Sequence, residues 1–243
     1  MELKKYTKEN PLRVFTAFSG YDSQCLALNR LGIDYDLVGW SEIDPAAITA
    51  HDALFPQYKD RNYGDISKID WSKVPDFDLF TYSSPCTDFS NAGLQAGGEE
   101  GSGTRSSLLW ECRKTILAKK PKYLLFENVK ALVTDKFKPL FDKWCNELES
   151  YGYVNFSQVL NSRDYGVPQN RERIFMVSIL KTEDEQDPYY EFPRPIKLQK
   201  TVEDILEDNV PEKYYMKQEV NDKYIEIMSV EEPDDVGLDE GLW

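Results

Sequence analysis

The chain has one histidine, His51, and no two of its four cysteines lie close enough in sequence to form a paired motif. A lone histidine removes the His-based catalytic triads and multi-histidine metal clusters. Scattered cysteines (Cys25, Cys86, Cys112 and Cys145) exclude a disulfide framework and a zinc site, so a cytoplasmic, reducing location is expected and no metal. No apolar run reaches the roughly 20 residues of a membrane helix, and the start, Met1–Tyr6, lacks the apolar core of a secretory signal. No membrane association is expected. Clustered basic charge is also lacking. The formal net charge is −14; the stretch from Gln199 onward contributes 14 acidic and 4 basic residues, and no basic cluster marks a self-sufficient nucleic-acid binder. The acidic run Glu231-Glu232-Pro233-Asp234-Asp235 reads as a solvated end.

What is present is an alternation of strands and helices. Arg13–Phe18 reads as a first strand broken by Ser19-Gly20, and Ser23–Leu31 as a helix stopped by Gly32. Asp36–Ser41 is a second strand, and Pro45 opens a helix to about Leu54. Phe77–Tyr82, Tyr123–Phe126, Tyr153–Leu160 and Ile174–Leu180 read as further strands, with helices at Leu108–Ala118 and Lys138–Tyr151. In the latter, Leu140, Phe141, Trp144 and Leu148 form one apolar stripe, read as core. Val202–Leu206 reads as a short helix, and no convincing element follows it.

Several residues in this frame suit chemistry. Pro85 directs the chain as it leaves a short strand, so Cys86 sits where open α/β sheets place ligands. The alternative is a small buried hydrophobe, the commonest fate of a free cysteine. Glu42 stands 22 residues after Gly20, close to the ~20 expected of an acid that binds ribose hydroxyls. Asp65, in a later loop, is a further candidate, although Asp44 and Asp65 read equally as helix caps or solvated loop residues. Glu127 closes an apolar strand, a costly position without a partner or a task. Arg171 and Arg173 flank Glu172 and share a face in extended chain; a surface ion pair is the plain alternative. The glycine-rich segment Asn91–Ser107 is long enough to suggest a functional loop.

Taken together, Pro85-Cys86 with Phe89-Ser90, then Glu127-Asn128-Val129, then Gln169-x-Arg171-x-Arg173, resemble the DNA cytosine-5 methyltransferases in order and spacing, from about Leu12 to Tyr215. The resemblance implies a Rossmann-like, doubly wound α/β sheet that binds S-adenosylmethionine. It makes Cys86 the nucleophile, Glu127 the group on the ring nitrogen and exocyclic amine, and Arg171 and Arg173 the residues that steady the base. Ser90, Asn128 and Gln169 would touch substrate. Phe18, Gly20, Glu42, Ile43, Asp65 and Pro85 would hold cofactor, with Asn91–Ser107 as a lid over a flipped-out base. The family's F-x-G-x-G pattern is here Phe18-Ser19-Gly20-Tyr21-Asp22. The resemblance divides the chain into a catalytic domain, residues 1–198, and an acidic extension, 199–243, leading towards an absent target-recognition region. It therefore implies duplex DNA as substrate and a second, basic polypeptide that carries target recognition. A transfer-RNA cytosine-5 methyltransferase and a non-catalytic binding remnant of the family are the competing readings.

Overall fold

The computed structural model describes residues 6–85, 105–182 and 188–229. Cys86, Ser90, most of the glycine-rich segment and the final acidic run lie outside the described residues. The chain divides into two compact units: Met1–Leu160 with Glu172–Arg194, and Asn161–Arg171 with Pro195–Trp243.

The first unit holds a mixed sheet of six strands in the order β2-β1-β3-β4-β6-β5. These are β1 (Leu12–Ala17), β2 (Tyr35–Ser41), β3 (Leu79–Tyr82), β4 (Tyr123–Val129), β5 (Tyr153–Asn161) and β6 (Glu172–Leu180). β1 to β4 run parallel, and β6 lies antiparallel to β4. Central parallel strands are covered on both faces, which is why all of β1 but Arg13 is buried. Val14 joins one buried cluster and Phe15 the other, because successive side chains point to opposite faces. α1 (Ser23–Leu31) and α2 (Pro45–Leu54) serve the cluster around Val14, Leu37, Trp40 and Phe55. α3 (Glu111–Lys119) and α4 (Lys138–Ser150) close the other, which includes Phe80, Tyr82, Phe126 and Trp144. This is the expected α/β doubly wound sheet. Phe141, Trp144 and Leu148 of α4 are buried as expected, and the Trp144 Nε1–H donates to the Tyr82 hydroxyl at 3.1 Å.

Each helix stops and starts for a local reason. Gly32 ends α1 at φ 65°, its N–H returning to Asn29 O. Asp44 caps α2 by accepting the Ala47 N–H at 2.8 Å, with Pro45 next in the chain. An extra residue in β2 shifts its register against Val14 and Phe15. The shift changes the side-chain alternation, so Leu37 and Trp40 fall in the same cluster. Gly39 at this bulge has no substitute: a Cβ there would lie 2.6 Å from the Tyr63 ring and 2.7 Å from that of Phe15.

In the second unit, Asn161 Nδ2 donates to Asn170 Oδ1 at 2.6 Å, and Asn161 Oδ1 accepts the Arg171 N–H at 3.1 Å. The expected helix at Val202–Leu206 is only a 3₁₀ turn, Glu203–Ile205. The expectation of nothing regular beyond it is corrected by α5 (Gln218–Ser229). Its apolar residues Val220, Tyr224 and Ile225 are exposed, and with Ile227 and Met228 they include the spacing i, i+4, i+7, i+8 of a helix, a signal that the sequence carries. Among the described residues no helix is long and apolar enough to cross a membrane.

Candidate active site

β1 is flanked by β2 on one side and β3 on the other. The connections therefore reverse direction there, and the carboxyl ends of β1 and β3 mark the switch point at which open α/β sheets bind ligands. Phe18, Gly20 and Asp22 in the turn after β1 all have positive φ, at 55°, 55° and 63°. Left-handed backbone costs a non-glycine residue about 1–3 kcal/mol and clusters at ligand sites. Asp tolerates it better than most residues, and Asp22 fills the place of the second family glycine while its carboxylate caps α1. A Cβ on Gly20 would meet nothing within 4 Å. The glycine is needed for its φ, and the space above it is open. Gly20→Ala is expected to cost about 1–2 kcal/mol through backbone strain alone and to weaken ligand binding there, measured by denaturant unfolding and calorimetry. Unchanged stability would show that the turn relaxes.

Glu42 anchors this turn. Its Oε2 accepts the Gly20 N–H at 2.9 Å, and its Oε1 accepts the N–H groups of Ile43 and Asp44 at 2.8 and 2.9 Å. A carboxylate offers about four acceptor positions, so one remains for a ligand hydroxyl. Asn62 holds Glu42 in place, accepting its N–H at 3.2 Å and donating to its carbonyl at 3.1 Å; the same Oδ1 also accepts from Gly64. Sequence reading missed Asn62. Its only signal is the Asn-Tyr-Gly turn. Ile43 is exposed, 68 %, at the end of β2, an apolar platform beside the carboxylate. Asp65 starts a 3₁₀ turn, its Oδ1 accepting from Ser67 N and Oγ, with Lys68 Nζ 3.3 Å from Oδ2. Those hydroxyl and amide donors hold its carboxyl below the usual range.

The second half of the site lies at the ends of β3 and β4. Asn128 is buried, and its Nδ2 reaches Ser84 O at 3.2 Å and Ser84 Oγ at 3.4 Å. It thus fixes the residue before half-buried Pro85, two positions ahead of Cys86 in the chain. Glu127 and Arg173 form an ion pair, Oε1 to Nε 3.2 Å, both half-buried. Their meeting is a consequence of register. Val129 pairs with Arg173 and Glu127 with Phe175, so Glu127 and Arg173 are diagonal neighbours on one face of an antiparallel pair. The partner that a glutamate at this strand end requires is therefore Arg173, whose Nη1 also donates to Glu172 O at 2.7 Å. Arg171 and Gln169 are exposed residues of the second unit. Gln169 takes part through its backbone, its N–H donating to Val167 O and its carbonyl accepting from Ser162 Oγ. Among the described residues no group of three or more His, Cys, Asp or Glu is placed to hold a metal ion.

Comparison with known proteins gives this geometry its context. The family of C-5 cytosine-specific DNA methylases matches residues 12–240. The chain belongs to that family. It is similar to the type II methyltransferase M2.ScrFI of Lactococcus lactis subsp. cremoris, with 41 % identity over 88 % of this chain and 73 % of that enzyme. It is 34 % identical to the orphan methyltransferase M.Rho11sI of Bacillus phage rho11s, over 91 % of this chain. It spans only 48 % of that phage enzyme's length. Among solved structures, the Dnmt2 methyltransferase of S. pombe shares the fold, with a TM-score of 0.64 at 21 % identity over 88 % of this chain and 66 % of that one. The C-5 methylases are S-adenosylmethionine-dependent methyltransferases, and the β1 and β2 ends suit that cofactor. They offer open space over Gly20, a carboxylate with one free acceptor position and an exposed apolar platform at Ile43.

Proposed function

We propose that this chain methylates carbon-5 of cytosine in duplex DNA through a covalent adduct between Cys86 and carbon-6 of the base. The observation that carries this reading is the Glu127–Arg173 pair standing one residue from Asn128, which fastens the strand end leading to Pro85-Cys86. S-adenosylmethionine, when bound, supplies an electrophilic methyl group, and Glu42, Ile43, Gly20, Phe18, Asp65 and Pro85 are the residues that would hold it. Carbon-5 of cytosine is a poor nucleophile. Addition of the Cys86 thiolate to carbon-6 forms an S–C bond and pushes electrons to carbon-5, which then takes the methyl group. Loss of the carbon-5 proton to a base breaks the S–C bond and returns the thiolate. Glu127 binds ring nitrogen 3 and the exocyclic amine, and Arg173 and Arg171 stabilise the charge that builds on the ring. Ser90 and Gln169 complete the substrate contacts in this reading, and Asn128, expected among them, is buried and acts by holding Ser84.

Support for Cys86 as nucleophile comes from the other three thiols. Burial pushes up the thiols of Cys25, Cys112 and Cys145, the last to about 12, so each stays protonated and inert at neutral pH.

Duplex recognition needs cations against phosphates, and in this chain 29 Lys and Arg are outnumbered by 43 Asp and Glu and form no basic cluster in the sequence. In this reading a second, basic polypeptide supplies target recognition to the catalytic residues 1–198. The acidic extension 199–243, with Tyr214, Tyr215, Met216 and Val220 exposed, faces it. A cytoplasmic setting belongs to the same reading. The test is methyl transfer from labelled cofactor to mixed-sequence duplex DNA and to transfer RNA, read as 5-methylcytosine by mass spectrometry. Transfer to duplex DNA that rises on adding a basic recognition polypeptide is expected. Transfer to RNA alone would favour the transfer-RNA reading, and robust sequence-specific turnover by the chain alone would remove the partner.

A further inference from the structure

Beneath the turn that carries Gly20 lies a buried polar cluster drawn from both loops of the cofactor site. Asp22 is fully buried. Its Oδ1 accepts the Cys25 N–H at 3.1 Å and its Oδ2 accepts the Thr16 hydroxyl at 3.0 Å. Thr16 Oγ1 lies 2.8 Å from Ser19 Oγ, and the Ser19 N–H donates to Ser41 O at 3.2 Å, joining the turn after β1 to the end of β2. From α2, which follows β2, comes His51, also fully buried and stacked on Trp40 with ring centroids 3.6 Å apart. His51 Nε2 stands 3.7 Å from Asp22 Oδ2 and Nδ1 stands 3.6 Å from Asp52 Oδ1, and neither ring nitrogen makes a hydrogen bond.

Packing against Trp40 does not call for those nitrogens; a phenyl ring would stack as well. A buried carboxylate is costly without a cation or donors, and a buried imidazole N–H is costly without an acceptor. An approach of a few tenths of an ångström brings Nε2 within hydrogen-bond reach of Oδ2 and relieves both. The other ionisable groups around the pair are Asp52 on the far side of the ring and the Cys25 thiol and Tyr35 phenol near Asp22. Burial pushes both the thiol and the phenol up, with the Asp22 charge adding to it at the thiol, so they stay neutral.

We propose that Asp22 and His51 are a positioning pair for the cofactor. The imidazole, donating from Nε2, holds the Asp22 carboxylate, and Asp22 holds the left-handed turn that aims the Gly20 N–H at Glu42. The pair ties the loop after β1 to the helix after β2, so the two loops of the site move as one. This inference rests on reading Gly20 and Glu42 as the cofactor site.

The test uses the full chain and calorimetric titration with S-adenosylmethionine, with melting temperature and near-ultraviolet circular dichroism as folding controls. His51→Phe keeps the stack and removes the nitrogens, and is expected to weaken binding about tenfold, equivalent to roughly 1.4 kcal/mol. His51→Gln returns an amide donor near Nε2 and should bind within about threefold of the unaltered chain. Asp22→Gly suits the backbone but removes the carboxylate, so adding His51→Phe to it should weaken binding no further. Unaltered affinity in His51→Phe, no rescue by His51→Gln, or additive losses in the double variant each overturn the pair. Should His51→Phe not fold, Asp22→Asn replaces it: it keeps the cap acceptor and loses the charge, and unaltered affinity there is equally fatal. A wild-type chain that binds no cofactor strikes the reading of Gly20 and Glu42 first, a failure distinct from that of the pair.

Discussion

Duplex DNA containing 5-fluorocytosine is expected to become covalently attached to this chain at Cys86 in the presence of cofactor and a recognition partner, and Cys86→Ser to abolish the attachment. Release of the base requires loss of the carbon-5 proton. Fluorine at that carbon cannot leave as a cation, so the S–C bond persists and the complex survives denaturing electrophoresis. The effect should be all or none, because no other described thiol can substitute. Cys25 and Cys112 are fully buried, and Cys145 is part-buried with its thiol pushed up to about 12 by burial and by the nearby Asp142 and Glu149 carboxylates. Cys145→Ser should therefore leave the adduct intact. An adduct that persists in Cys86→Ser would remove Cys86 from the chemistry and with it the proposed mechanism.

Glu127→Gln is expected to lower methyl transfer by about 10²- to 10⁴-fold, the usual contribution of a positioned acid or base. Glutamine keeps the shape and one acceptor oxygen but cannot share a proton with ring nitrogen 3, and it removes the carboxylate charge beside the Arg173 guanidinium. Arg173→Met should also cost activity, by removing the guanidinium beside the Glu127 carboxylate and the cation from the base. The two act through one another, so the double variant should lose less than the product of the single losses. Stability should change little by comparison. Both side chains are partly open to water, at 22 % and 28 %, and such pairs contribute about 1 kcal/mol or less. Single-turnover rates with trapped duplex, alongside thermal melts, separate the two effects. Glu127→Gln turning over within about threefold of the unaltered chain would show that Glu127 only braces the β4–β6 edge.

Much of the fold follows from local signals that survive packing. Apolar runs too short for helices became β1, β3 and β4. Gly32 stopped α1 through its left-handed φ, Pro45 opened α2, and the stripe of α4 was buried. These succeed because caps, proline geometry and hydrophobic period act within a turn or two of the residue that carries them. α5 was missed although Val220, Tyr224, Ile227 and Met228 recur at helical spacing, because the segment lies among acidic residues with no glycine or proline close by to mark its ends.

What the sequence alone determined, then, is the succession of strands and helices from β1 to β6 and the order of the motif residues, because propensity and periodicity are local. The tertiary structure decided which residues meet. Arg173 lies beside Glu127 only because β6 runs antiparallel to β4 and brings its amino end to the carboxyl end of that strand. Asn128 turned inward to hold Ser84 because Ser84 follows, by two residues, the end of the neighbouring strand β3. The departure from the family glycine at Asp22 made sense only when Thr16, Cys25 and His51 were found around it, from β1, α1 and α2. Contacts between residues tens of positions apart depend on strand order and register. Those are fixed by how the whole sheet buries its two faces, a property no short stretch of sequence contains.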